Sequence, residues 1–282
     1  MTKHQICLAT SQDFYAGLSF AFRDPELSII EIDLSGIRFL FPWQLTLAAC
    51  LKVWCGGKAQ LQFHWNHAKD FQNKVVSYAE QMGLFTGIGE GESQERVLAL
   101  PNCSYNPDNY FELHRVEVGS DAMLAEQLTR LLAPYPRLAA TLPRHLTDLS
   151  QNIFLHSGPK ENTGWGFVQA QTTGGKLRIA FCDFGVGCYK TFQRNNLLQG
   201  RSPKEILETC LEPYGSCLAK DALHPNHGVG LSRICDFLND HKGGMDIYSD
   251  GLLCRYSKGK KSTRVLGSRT KGTLISLEIR LL

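Results

Sequence analysis

The sequence predicts a mixed α/β protein in two parts, and three observations carry this. The first ninety residues alternate strand-like apolar runs with helical stretches in the order βαβα, which favours a partly parallel sheet with helices packed on it. Residues 87–109, rich in Gly, Ser, Asn and Pro, interrupt that pattern. Beyond them the apolar period switches between helical and strand spacing, with a hairpin in the middle and a strand at the end.

The chain-wide figures bound the reading. A length of 282 residues suits two domains or one large one, and with 43% hydrophobic and 20% charged residues the chain can bury a core rather than stay disordered. A net charge of +3 is too small to imply a nucleic-acid partner. No apolar run is long enough to span a bilayer, and the opening MTKHQICLATSQDF lacks an apolar signal core, so a cytoplasmic location without a membrane partner is expected. The ten cysteines form no CxxC pair, which argues against a zinc cluster. Most sit among apolar neighbours and read as buried thiols.

In the first part, Leu27 to Leu34 reads as a buried strand closed by Ser35-Gly36, and Ile37 to Phe41 is a second apolar run before Pro42. From Trp43 the spacing becomes helical, with Leu47, Cys50, Leu51 and Trp54 on one face, and Gly56-Gly57 stops it. Ala59 to Trp65 alternates as a strand. Phe71 to Met82 is a second helix ended by Gly83. His64 and His67 read as an ordinary loop pair rather than a metal site. Gly87 to Gly91 lacks the following helix start that a phosphate fingerprint needs, so it reads as linker.

In the second part, Tyr110 to Val118 is a strand. Asp121 to Leu132 is a helix with Ser120 placed to cap it and Leu124, Leu128 and Leu131 on one face. Pro134 and Pro136 break the chain before the most informative stretch, a helix over Leu146 to Ser157. Residues four apart share a helix face, so Asp148, Asn152 and His156 form a polar stripe, with Leu142, Leu146, Leu149 and Ile153 as the apolar one. Gly166 to Thr172 and Lys176 to Cys182 are strands joined by a Thr173-Gly174-Gly175 turn. The second strand runs into Asp183-Phe184-Gly185-Val186-Gly187. A carboxylate at the end of an apolar strand needs a donor, and the glycines let the backbone approach a ligand.

In residues 188–227, rich in polar groups, Ser202, Pro203 and Glu205 form a capping box that starts a short helix, and the rest reads as a mobile lid. His227-Gly228-Val229-Gly230-Leu231 opens a helix ended by Gly243-Gly244, and its exposed N–H groups suit a phosphate. Met245 to Ser249 is a strand. Leu252 to Tyr256 and Arg264 to Leu266 flank a basic loop, SKGKKST. Lys258, Lys260, Lys261, Arg264, Arg269 and Lys271 lack interleaved aromatics, so a solvated hairpin is expected rather than a nucleic-acid surface. Gly272-Thr273 opens the last strand, Leu274 to Leu281.

Two resemblances follow. IIEIDLSGIRFL before a helix and YAEQMGLF after the second one resemble a STAS domain, the fold of anti-sigma-factor antagonists, over residues 1–90. Phosphorylated members place Ser or Thr where this chain has Phe41-Pro42-Trp43-Gln44, so the resemblance implies a scaffold or docking role rather than a phospho-switch. After a linker at 91–109, residues 110–282 resemble the GHKL ATP-binding domain of gyrase, MutL, histidine kinases and anti-sigma-factor kinases. The motifs are D-x-x-x-N-x-x-x-H on a helix, DFGVG after a hairpin strand, HGVGL before a helix and GT before a closing strand. The implied fold is a STAS-like βαβα domain followed by an α/β (α+β) sandwich, and the implied cofactors are ATP and Mg²⁺.

The GHKL resemblance assigns Asn152 to Mg²⁺, Asp183 to the adenine amino group, and Gly185 and Gly187 to the base pocket. Gly228, Gly230 and Leu231 fall in the second glycine box, and Thr273 is the partner of Asp183. Asp148 stands where hydrolysing members carry a general-base Glu, one methylene shorter. His156 lies near the phosphates or serves as a structural hydrogen-bonder. The expected function is ATP hydrolysis or γ-phosphoryl transfer to a protein serine or threonine, with a regulatory protein partner and room for a homo-oligomer. The alternative is a nucleotide-gated interaction switch without turnover.

Overall fold

The computed structural model describes residues 2–21, 26–56, 59–66, 68–85, 107–117, 119–158, 164–213, 215, 230–268 and 271–281. Among these the chain is mixed α/β. The first part holds a three-stranded parallel sheet of β1 (Thr2–Cys7), β2 (Leu27–Asp33) and β3 (Gln60–His64), in that order. Parallel neighbours need crossovers, which α1 (Ser11–Ala21) and α2 (Pro42–Cys55) provide; α3 (Asp70–Gln81) follows β3. The strand β1 and helix α1 were not apparent in the sequence pattern.

The sequence suggested one apolar face for α2. The structure corrects this: Gln44, Leu45, Thr46, Leu47, Ala48, Ala49, Cys50 and Leu51 are buried in succession. The reason is that α2 is covered on two sides, by β3 and by the outer face of a second sheet. A helix covered on two sides is buried over most of its surface, and the apolar residues of WQLTLAACLKVW supply that cover while Lys52, Val53 and Trp54 remain toward the open side. Both buried polar residues are satisfied: Gln44 Oε1 accepts from Phe41 N at 2.7 Å and its Nε2 donates to the Leu8 carbonyl at 2.7 Å, and Thr46 Oγ1 donates to the Pro42 carbonyl at 3.1 Å.

The second sheet has seven strands in the order β4-β5-β6-β10-β7-β8-β9, all neighbours antiparallel. They are β4 (Tyr110–Val116), β5 (Gly166–Thr173), β6 (Lys176–Asp183), β7 (Gly244–Ser249), β8 (Leu252–Ser257), β9 (Lys260–Val265) and β10 (Thr273–Arg280). Its inner face packs on α4 (Asp121–Leu131), α5 (Pro136–Ala139), α6 (Leu142–His156) and α9 (Gly230–Asp240). On α6 the predicted apolar stripe is the buried one: Leu142, Leu146, Leu149 and Ile153 all lie in this core. Side chains alternate across a strand. The outer positions Ala180, Cys182, Tyr248, Leu253 and Leu274 therefore face away from this core and join that of the first part. The two sheets thus share one continuous apolar layer.

Local corrections have local causes. Ser120 does not cap α4 with its side chain. Its backbone is already helical, and its Oγ accepts from Glu117 N at 3.0 Å. Asp121 instead ties α4 to α6, accepting from Ser150 Oγ at 2.7 Å and Gln151 Nε2 at 3.0 Å. The basic loop is mostly strand. Lys258 and Gly259, at φ 52° and 73°, make a two-residue turn, and the lysines beyond it belong to the edge strand β9. The turn at Gly174-Gly175 has the same form, with φ 59° and 69°. The Gly87–Gly91 stretch and His67 lie outside the described residues.

Candidate functional site

The site is built at one end of the three central strands. Register sets Asp183 opposite Thr273, and Thr273 opposite Ser249, so three polar residues form one row across β6, β10 and β7. Two residues further along, on the same face, Phe181, Ile275 and Ile247 form an apolar row. Asp183 and Thr273 of the first row and all three residues of the second line a cleft with about 900 Å³ of empty space, the open solvent at its mouth included. The facing wall comes from α6 through Leu149, Asn152 and Ile153. Gly230 and Leu231 supply the start of α9. Cys188, Thr191 and Phe192 come from α7 (Cys188–Arg194), and Leu207 from α8 (Pro203–Thr209).

Asp183 is almost wholly buried, at 5% exposure. Burial pushes its carboxyl up from the ordinary 3.8 to about 7, against the pull of hydrogen bonds from the Gly185 and Thr273 main chain. The Gly185 N–H donates to its Oδ1 at 2.8 Å. Gly185 does not line the cleft. A Cβ there would collide with the backbone of Ser157, the C-cap of α6, so this glycine lets the Asp183 turn sit directly on the end of that helix. Gly187, at φ 81°, lines the cleft and passes close to Asp250 and Ser249. Gly272, at φ 69°, similarly lies against the Asp183 backbone.

Asn152 and Asp183 line the same cleft, as do Gly187, Gly230, Leu231 and Thr273. Gly230 faces the polar stripe of α6: a Cβ on it would stand 3.4 Å from the Asp148 Cβ and 3.6 Å from Asn152 Nδ2. Asp148 is one turn before Asn152, beside Gly230, and is not among the described residues of the cleft wall. The His156 backbone ends α6, and its side chain lies outside the described part. Gly228 lies outside it altogether. Cys188–Arg194 is the helix α7 where the sequence suggested a mobile stretch, whereas α8 is the expected short helix, capped reciprocally by Ser202 and Glu205, with Ser202 N donating to Glu205 Oε2 at 2.7 Å.

Ser249 and Asp250 were not singled out from the sequence. Asp250 Oδ2 accepts from Tyr189 N at 2.8 Å, and Ser249 Oγ accepts from Cys188 N at 3.0 Å, so the pair caps α7 at the cleft rim. The Ser-Asp-Gly sequence that ends β7 was the available signal. Its register beside Thr273 was not.

The arrangement offers a flat apolar floor, a buried carboxylate beside it, and an amide on the opposite helix next to a glycine helix start. Among the described residues no three His, Cys, Asp or Glu gather as a metal site. Asn152 gives the cleft wall an amide oxygen, a group that suits a hard cation completed by ligand oxygens and water. No helix of the described residues is long and apolar enough to cross a membrane. No protein-family model matches the chain, and no curated protein matches it.

Proposed function

We propose that the chain binds Mg-ATP in this cleft in the manner of the GHKL superfamily, with the first part as a STAS-like unit docked behind it. One observation carries the reading: Asn152, from a helix, and Asp183 with Thr273, from the sheet, border one cavity although 31 residues or more separate them in sequence. The Phe181, Ile275 and Ile247 row would receive the face of the base, and Asp183 would accept from its exocyclic amine. Asn152 would hold Mg²⁺ on the phosphates, with Gly230 at the start of α9 beside it. Positioning and electrostatics are then the protein's share of phosphoryl chemistry.

Transfer to water or to a protein hydroxyl would need a base, and Asp148 is the candidate on the stripe. A second reading, nucleotide binding without turnover, is favoured by Asp148 sitting beside Gly230 rather than on the cleft wall. ADP release by purified protein with Mg-ATP separates the two. Turnover that vanishes in both Asn152→Ala and Asp148→Ala supports the enzyme. Binding without turnover in the parent leaves the switch, whose signal would pass to a regulatory protein partner.

A further inference from the structure

The end of the sheet opposite the cleft carries a second feature. Lys176 opens β6 and lies opposite Arg280 at the end of β10; Gly244 opens β7 and lies opposite Ser257, which Lys258 follows. Lys242 lies in the turn before β7, with one residue between. Four cations from four separate segments thus border one open cleft, with Glu278 as the acid among its lining residues. Glu278 is already held by Lys176 at 2.6 Å and Arg178 at 3.0 Å. Among the described residues no carboxylate pairs with Lys242, Lys258 or Arg280.

Edge protection does not account for this cluster. Lysines on an edge strand discourage sheet-to-sheet pairing, and that explains Lys260 and Lys261 on β9. Lys261 is in any case held by Glu212 at 2.7 Å. Lys176 and Arg280 stand at the ends of interior strands, and Lys242 lies in the turn between α9 and β7. Lys242 and Lys258 also sit at φ 51° and 52°, where Gly or Asn is cheaper. Each is followed by a glycine, and both turns deliver a cation to the same cleft.

The geometry points to a docking site for a short acidic segment of a protein partner. From β6 to β8 the row spans three strand spacings, roughly 14 Å, and alternate carboxylates of an extended chain recur about every 7 Å. A few Glu or Asp residues would therefore reach every cation. Among the described residues Leu238 is the apolar side chain of the cleft and no aromatic lines it, so they offer a nucleic acid no stacking platform. The site lies roughly 24 Å from Asp183 along β6, and it stands independently of the nucleotide reading.

The test is anisotropy of a labelled peptide of alternating Glu and Ser, titrated with the full chain at low and moderate salt. Binding is expected, about tenfold weaker in Lys242→Glu/Lys258→Glu. It is expected unchanged in Lys74→Glu/Lys204→Glu, which removes the same charge elsewhere, and all variants should keep the parent's melting temperature. Equal weakening in both double variants, no binding to the parent, or tighter binding of a single-stranded oligonucleotide of the same charge would each overturn the assignment.

Discussion

Asp183→Asn should make the ligand-free protein more stable and blind to the base. The buried carboxyl titrates near 7 rather than 3.8. Its ionised form is therefore disfavoured in the folded state and costs nothing comparable in the unfolded one. The sign follows: stability is unaffected below the unfolded value, falls as pH rises between 3.8 and about 7, and stays lowered above that. At pH 8 the full burden is on the order of 4 kcal/mol, an upper bound for what the amide relieves. Asparagine keeps one acceptor oxygen where the carboxylate offers two to the Gly185 and Thr273 N–H groups, so the turn on Ser157 is preserved and the gain stays below that bound. Thermal unfolding of both proteins at pH 5 and pH 8 checks this: the variant's advantage should be several degrees larger at pH 8. An Asn variant destabilised equally at both pH values would refute the claim that an ionised carboxylate is held there against its solvation.

Other expectations follow from the same contacts. Gly185→Ala drives a methyl into the Ser157 backbone, which cannot yield as a side chain would, so urea unfolding should show a loss of about 2 kcal/mol or more. Gly230→Ala meets only ordinary contacts, at 3.4 and 3.6 Å, and places its methyl beside Asn152; its melting temperature should stay near the parent's while nucleotide affinity falls. Cys50→Asp puts a charge in the layer between the two sheets, where Cys50 Sγ donates to the Cys182 carbonyl at 3.2 Å. It should lower the stability of both parts together, seen as one cooperative transition at a lower denaturant concentration.

The sequence was informative where an element's own residues decide its form. The leucine stripe of α6, the paired glycines at 174–175 and the Ser202 capping box each carry their structure in a few adjacent residues. It was uninformative where distant segments decide. Burial of α2 on two sides depends on the outward positions of β5, β6 and β10, and the Ser120 side chain turned to Glu117 instead of capping. The candidate site shows both cases. Asn152 and Asp183 stood out by motif, whereas Ser249 and Asp250 became visible only once β10 and β7 were aligned.

The central claim is that one cleft joins Asn152 to Asp183 around a nucleotide. Calorimetric titration of the whole protein with ATP, with and without Mg²⁺, tests it most directly. A single site per chain is expected, tightened by Mg²⁺ in the parent but not in Asn152→Ala, and lost in Asp183→Asn. No heat in the parent, or binding that ignores both substitutions, would contradict it.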